Sequence, residues 1–144
     1  MGEKKLTYKE LACYAKNVAS YLQKHGVVKG TSIAIISENS PEWCIAFWGI
    51  IYAGARLVAV DPLLKNKEMR FILEDSFAEF VFASNLFYNR IKEFGIKSIK
   101  EIIDLNKVYE REGEFIPPSI SPKDDAILIY TSGTMGSQKG VVLS

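Results

Sequence analysis

The stretch Ala126-Ile-Leu-Ile-Tyr-Thr-Ser-Gly-Thr-Met-Gly-Ser-Gln-Lys-Gly-Val-Val-Leu143 decides how this chain is read. An apolar run, Ala126 to Tyr130, leads into a segment of hydroxyl residues and glycines. A second apolar run, Val141 to Leu143, leads out of it. Short apolar runs bounded by turn residues predict strands. Strand, glycine- and hydroxyl-rich loop, strand is a framework suited to a polyphosphate. Glycines let successive backbone N–H groups converge on one anion. Thr131, Ser132, Thr134 and Ser137 offer hydroxyl donors, Gly133, Gly136 and Gly140 offer backbone freedom, and Lys139 offers a mobile point charge. Charge-assisted hydrogen bonds contribute roughly 1.5–3 kcal/mol each, so a handful hold a nucleotide tail.

The better-known phosphate loops do not fit. A Walker A loop needs G-x-x-x-x-G-K-[ST], and here Gln138 precedes Lys139 and Gly140 follows it. The dinucleotide pattern G-x-G-x-x-G fails because Gly133 and Gly136 lack the third glycine. A flexible Ser/Gly-rich linker is the competing reading. The two β-like flanks and the single lysine weigh against it.

Outward from this stretch, helix and strand alternate. Thr7-Tyr-Lys-Glu10 has capping-box spacing, and Leu11, Tyr14 or Ala15, Val18 and Leu22 share one helical face, with Gly26 as the stop. Ile33–Ile36 predicts a strand buried on both faces. Ser40-Pro41-Glu42 starts a helix running to about Ala53, and Leu57–Val60 is the next strand, stopped by Asp61-Pro62. Asn66 is expected to cap a helix through Met69, Ile72 and Leu73. Phe80–Phe82 is a strand, and Asn85 is expected to cap a helix closed by Gly95. Ser98–Ile103 is expected as a strand, and 104–125, with three prolines, as a long surface connection. The alternation predicts an α/β fold: a mostly parallel sheet with helices on both faces. Ligands of such sheets sit beyond the carboxyl ends of strands. The segment 131–140 follows such an end.

Bulk properties narrow the function. A chain of 144 residues with 48% hydrophobic content is expected to form one α/β unit with a real core. A net charge of +1 gives no support for a nucleic-acid partner. Cys13 and Cys44 have no ligand or redox spacing and are expected as free thiols in a reducing cytoplasm. The polar start, Met-Gly-Glu-Lys-Lys, is no signal peptide. Trp43 to Val60 is too interrupted for an integral membrane segment, which needs about 20 apolar residues. His25 reads as a helix-end residue, Asp61 and Glu42 as turn or helix-start acids, and the Trp43, Phe47, Trp48, Tyr52 stripe as core.

Tyr130-Thr-Ser-Gly-Thr-Met-Gly-Ser-Gln-Lys-Gly-Val141 resembles the phosphate-binding signature of the AMP-forming acyl-activating enzymes: acyl-CoA synthetases, adenylation domains and luciferases. The family pattern, Y-T-S-G-T-T-G-x-P-K-G-V, is matched at ten of twelve positions. Met135 replaces a hydroxyl residue and Gln138 a rigid proline. Leu6–Leu11, Gly30–Ile35, Asn39–Trp43, Tyr52–Ala55 and Ser121–Ala126 resemble the family's earlier elements.

The resemblance implies an N-terminal subdomain of an acyl-CoA synthetase-like enzyme, truncated just after the phosphate loop. It implies an AMP-forming carboxylic acid–CoA ligase working through an acyl adenylate, with ATP, Mg2+ and coenzyme A, and a fatty acid as the commonest substrate. Thr131, Ser132, Gly133, Thr134, Gly136, Ser137, Lys139 and Gly140 would hold the ATP β- and γ-phosphates. The family's adenine, ribose, magnesium and catalytic-lysine positions lie downstream of Ser144. No catalytic or metal-binding residue is therefore assigned, and the 144 residues alone are expected to be inactive. Apolar surface left bare is expected to favour self-association. The other readings are a non-catalytic nucleotide- or partner-binding module, an adenylation enzyme for aryl or amino acids, and a degenerate relative with a weakened loop.

Overall fold

The computed structural model describes residues 5–110, 112–132 and 138–144, with the side chains of Ser132, Gln138 and Lys139 outside that description. Helix α1 (Tyr8–Lys24) begins at Thr7, whose hydroxyl accepts the Glu10 N–H at 3.1 Å. The helix ends at His25, whose Nδ1 lies 2.8 Å from the Tyr21 carbonyl, and Gly26 then turns the chain at φ 91°. Strand β1 (Ser32–Ile36) is buried throughout. Helix α2 (Pro41–Tyr52) is capped by Ser40, which accepts the Trp43 N–H at 3.2 Å.

Strand β2 (Arg56–Ala59), helix α3 (Asn66–Asp75), strand β3 (Phe80–Ala83), helix α4 (Asn85–Phe94) and strand β4 (Glu101–Asp104) follow. A 3-10 helix (Leu105–Glu110), strand β5 (Ile127–Ser132) and strand β6 (Gln138–Leu143) complete the order.

Among the described residues the strands form one sheet, ordered β4-β3-β1-β2-β5-β6. Every neighbouring pair is parallel except β5 and β6. Side chains alternate across a strand, so each buried strand feeds two cores. Ile33, Ile35, Leu57, Phe80 and Phe82 face α1, α2 and the 3-10 helix. Ala34, Ile36, Val58, Val81 and Leu128 face α3 and α4. The fold is α/β, a mostly parallel sheet with helices on both faces.

Helices α1 and α2 approach closely at Gly49. A Cβ there would lie 2.5 Å from Val18 Cγ1, so only glycine fits without a shift.

Five local expectations are corrected. Asn66 does not cap α3: Lys65 occupies the cap position, and the Asn66 amide oxygen accepts from Arg90 of α4 instead. Asn85 does not cap α4 either. Ser84 holds that position, but its hydroxyl donates to Glu38 at 2.8 Å and leaves the helix end without a side-chain cap. Strand β4 starts at Glu101 rather than Ser98, because Ser98 is drawn to the Ala78 carbonyl at 3.2 Å before pairing with β3 begins. The aromatic stripe of α2 packs against the core from its margin, and Trp48 falls outside it. Ile45, Ala46, Gly49 and Ile50 fill the buried face. Trp43, Phe47 and Tyr52 are half-buried and Trp48 is exposed, in a ladder of ring contacts 5.1–6.1 Å apart that reaches Phe115. The stretch expected as a surface connection also begins differently: residues 105–110 are helical, with Leu105 and Val108 buried.

Candidate functional site

The approach to β5 is pinned before the strand begins. Asp124 accepts the Ser121 N–H at 2.6 Å and pairs with Lys29 at 2.9 Å. The Ser121 N–H first, and Lys29 next, hold its carboxyl below the ordinary range. Asp125 lies 4.0 Å from Arg56 of β2. From there β5 pairs with β2 over three positions, Leu57 with Ile127 to Ala59 with Ile129.

Beyond Ile129 that pairing stops. Tyr130, Thr131 and Ser132 continue, paired only with Gly140, Lys139 and Gln138 of β6. The antiparallel β5–β6 arm therefore runs past the parallel sheet by three residues, about 10 Å at the usual strand rise. It does so at the carboxyl end of β5, the end at which open α/β sheets receive ligands. The register sets Thr131 directly opposite Lys139 and Ser132 opposite Gln138. Thr131 is exposed. Gly133, Thr134, Gly136 and Ser137 lie outside the described residues, as do the side chains of Ser132 and Lys139.

Gly140 has a different part from the one its composition suggests. It is a strand residue without a positive φ. A Cβ there would lie 3.2 Å from Leu128 Cδ1 and 3.4 Å from Tyr130 Cζ. The tight approach is to Leu128, and the ring of its cross-strand partner Tyr130 lies at ordinary contact distance.

Tyr130 reaches from the arm to α3. Its hydroxyl donates to Asp75 Oδ2 at 2.7 Å, and its ring meets Phe71 edge-on at 6.4 Å. Burial first, then the Asp75 carboxylate, push the Tyr130 phenol well above its ordinary pKa. It therefore stays a protonated donor across the physiological range. Asp75 and Phe71 were not found by sequence reasoning. The available signal was an acid at the last position of a helix, where the dipole disfavours it.

Other groups stand at the carboxyl ends of neighbouring strands. Ser37 follows β1, and the Glu38–Ser84 bond joins the ends of β1 and β3. Asp61, after β2, accepts the Leu63 N–H at 2.9 Å and closes a turn. Among the described residues no His, Cys, Asp or Glu group could hold a metal ion, and no helix is long and apolar enough to cross a membrane. A cleft of about 250 Å3 between α4 and β4, lined by Tyr88, Ile91, Ile96 and Ile99, does not touch the β5–β6 arm. Two paired strand ends at a carboxyl edge, joined by a sequence rich in hydroxyls and glycines, suit an anionic ligand.

The family model described as AMP-binding enzyme matches residues 1–144, so the chain belongs to the AMP-binding enzyme family. It is 35% identical over 144 residues to tyrocidine synthase 3 of Brevibacillus parabrevis, covering 99% of this chain and 2% of that protein. Among solved structures it resembles a fatty acyl CoA synthetase of Mycobacterium tuberculosis, with TM-score 0.86 and 27% identity, covering 98% of this chain and 29% of that one. It also resembles the O-succinylbenzoate coenzyme A synthetase of Bacillus subtilis in complex with AMP. There the TM-score is 0.82 and the identity 29%, over 98% of this chain and 36% of that one. The chain spans 4%, 2% and 11% of the length of three curated synthases that it matches.

Proposed function

We propose that this chain is the phosphate-binding part of an ATP-dependent, AMP-forming carboxylic acid–CoA ligase. The observation that carries the reading is the β5–β6 arm, which runs past the sheet at a carboxyl edge with Thr131 set opposite Lys139. The donor set suits an anion: hydroxyls from Thr131, Ser132, Thr134 and Ser137, backbone N–H groups around Gly133, Gly136 and Gly140, and the Lys139 ammonium. Magnesium would arrive bound to ATP, and no protein ligand is assigned to it.

The proposed reaction joins a substrate carboxylate oxygen to the α-phosphorus of ATP. The bond from that phosphorus to the bridging oxygen breaks, and pyrophosphate leaves with the electron pair. Donors fixed around the β- and γ-phosphates stabilise the charge that gathers on the leaving group, by positioning and electrostatics alone. The sulfur of the acceptor thiol, coenzyme A, then bonds to the acyl carbon of the adenylate, the bond from that carbon to the phosphate oxygen breaks, and AMP leaves, with a fatty acid as the substrate. The likeness to acyl-CoA synthetase structures supports that choice. The 35% identity to a tyrocidine synthase favours a second reading, adenylation of an amino acid. Exposed free Cys13 and Cys44 suit a reducing cytoplasm.

Acid-dependent ATP–pyrophosphate exchange by the whole protein tests both readings. Exchange with fatty acids and none with amino acids supports the first, and the reverse supports the second. Lys139→Ala is expected to lower exchange at least about tenfold, the loss of one charge-assisted contact. Unchanged exchange would remove the phosphate role of this segment.

A further inference from the structure

The arm that carries Thr131 and Lys139 leaves the parallel sheet after Ile129 and has little to hold it at a fixed angle. Its described side-chain hydrogen bond to the rest of the molecule is Tyr130 to Asp75. We propose that Asp75 and Tyr130 act as positioning residues that fix the arm relative to the sheet for ATP phosphates. This rests on the phosphate-binding reading above.

Three observations converge. The Tyr130 ring meets Phe71 edge-on and lies beside Gly140, so its direction is set by contacts on both sides. The hydroxyl then lands 2.7 Å from Asp75. Finally, the end of α3 breaks local rules around that acid. Glu74 and Asp75 occupy the last turn, where the helix dipole disfavours negative charge; Arg70 pairs with Glu74 at 3.1 Å and Arg56 donates to the Ser76 carbonyl at 3.2 Å, while Asp75 takes the Tyr130 hydroxyl. Phe77, 74% exposed, is held at φ 55° where glycine is the usual choice. Its N–H bonds the Glu74 carbonyl, and the Ala78 N–H bonds the Leu73 carbonyl, so the end is tightly closed in spite of the strain. A helix end that is locally unfavourable yet tightly formed suits a functional placement of its last side chain.

The contact acts through geometry, so its loss should move the ATP terms and spare the acid terms. In the whole protein, Tyr130→Phe and Asp75→Ala are each expected to raise the KM for ATP about 3- to 10-fold, the worth of one hydrogen bond. The KM for the acid should stay unchanged. Asp75→Asn keeps an acceptor oxygen and should restore most of the ATP affinity.

Unchanged ATP KM in Tyr130→Phe and Asp75→Ala, with exchange still lost in Lys139→Ala, would overturn the positioning role alone. Equal rises in both KM values would also overturn it, because general loosening acts on both substrates. Unchanged exchange in Lys139→Ala would overturn the phosphate reading, and the positioning role with it.

Discussion

The parallel part of the sheet and the β5–β6 arm are built from similar residues and behave differently. In β1 and β3 every residue is buried, and each face is closed by two helices. In the arm, Thr131 and Gly140 to Leu143 are exposed, and β6 is an edge with one neighbour. Apolar β-branched residues make strands in both places, and helices cover only one of them. The covered part supplies stability through burial. The bare part presents backbone and hydroxyl donors to solvent, where a charged ligand can reach them.

The sharpest way to break the covered part is Phe82→Ala. Phe82 is 1% exposed and faces the α1–α2 core. Its truncation should cost about 3–5 kcal/mol, read from urea or thermal unfolding. A loss under about 1 kcal/mol would mean that the face is not closed as described.

Gly49→Ala tests the packing of α1 on α2 and should cost about 1–3 kcal/mol through overpacking against Val18. Val18→Ala in the same chain should make the added methyl far less costly. Additive losses would show that the two positions do not touch.

Phe77→Gly works the other way. It relieves a bulky residue at positive φ and should stabilise by about 1 kcal/mol, seen as a higher unfolding midpoint. A destabilised variant would show that the exposed ring packs on something.

Much of the covered part was legible in the sequence, because burial on both faces writes itself as short continuous apolar runs. Thr7 and Ser40 cap their helices as their spacing predicts, since nothing competes for those hydroxyls. Asn66 and Ser84 spend their polar groups on Arg90 and Glu38, long-range partners that local pattern cannot show. The aromatic stripe of α2 has helical spacing, but spacing does not say which face meets the sheet. Small Ala46 and Gly49 take the closest approach, and the large rings are left at the margin. At the candidate site the two strands were readable from the apolar flanks of the glycines. The bond from Tyr130 to Asp75 spans 55 positions and leaves no local trace. Gly140 was read as a source of backbone freedom, and it stands in a strand without a positive φ, where an added Cβ would press on Leu128.

The central claim is that the segment around Lys139 holds the tail of ATP. Calorimetric titration of ATP into the whole protein, with the native lysine and with Lys139→Ala, addresses it directly. A Kd for ATP at least about tenfold weaker in the variant is expected, with the unfolding midpoint unchanged. Equal affinities in the two proteins would contradict the claim.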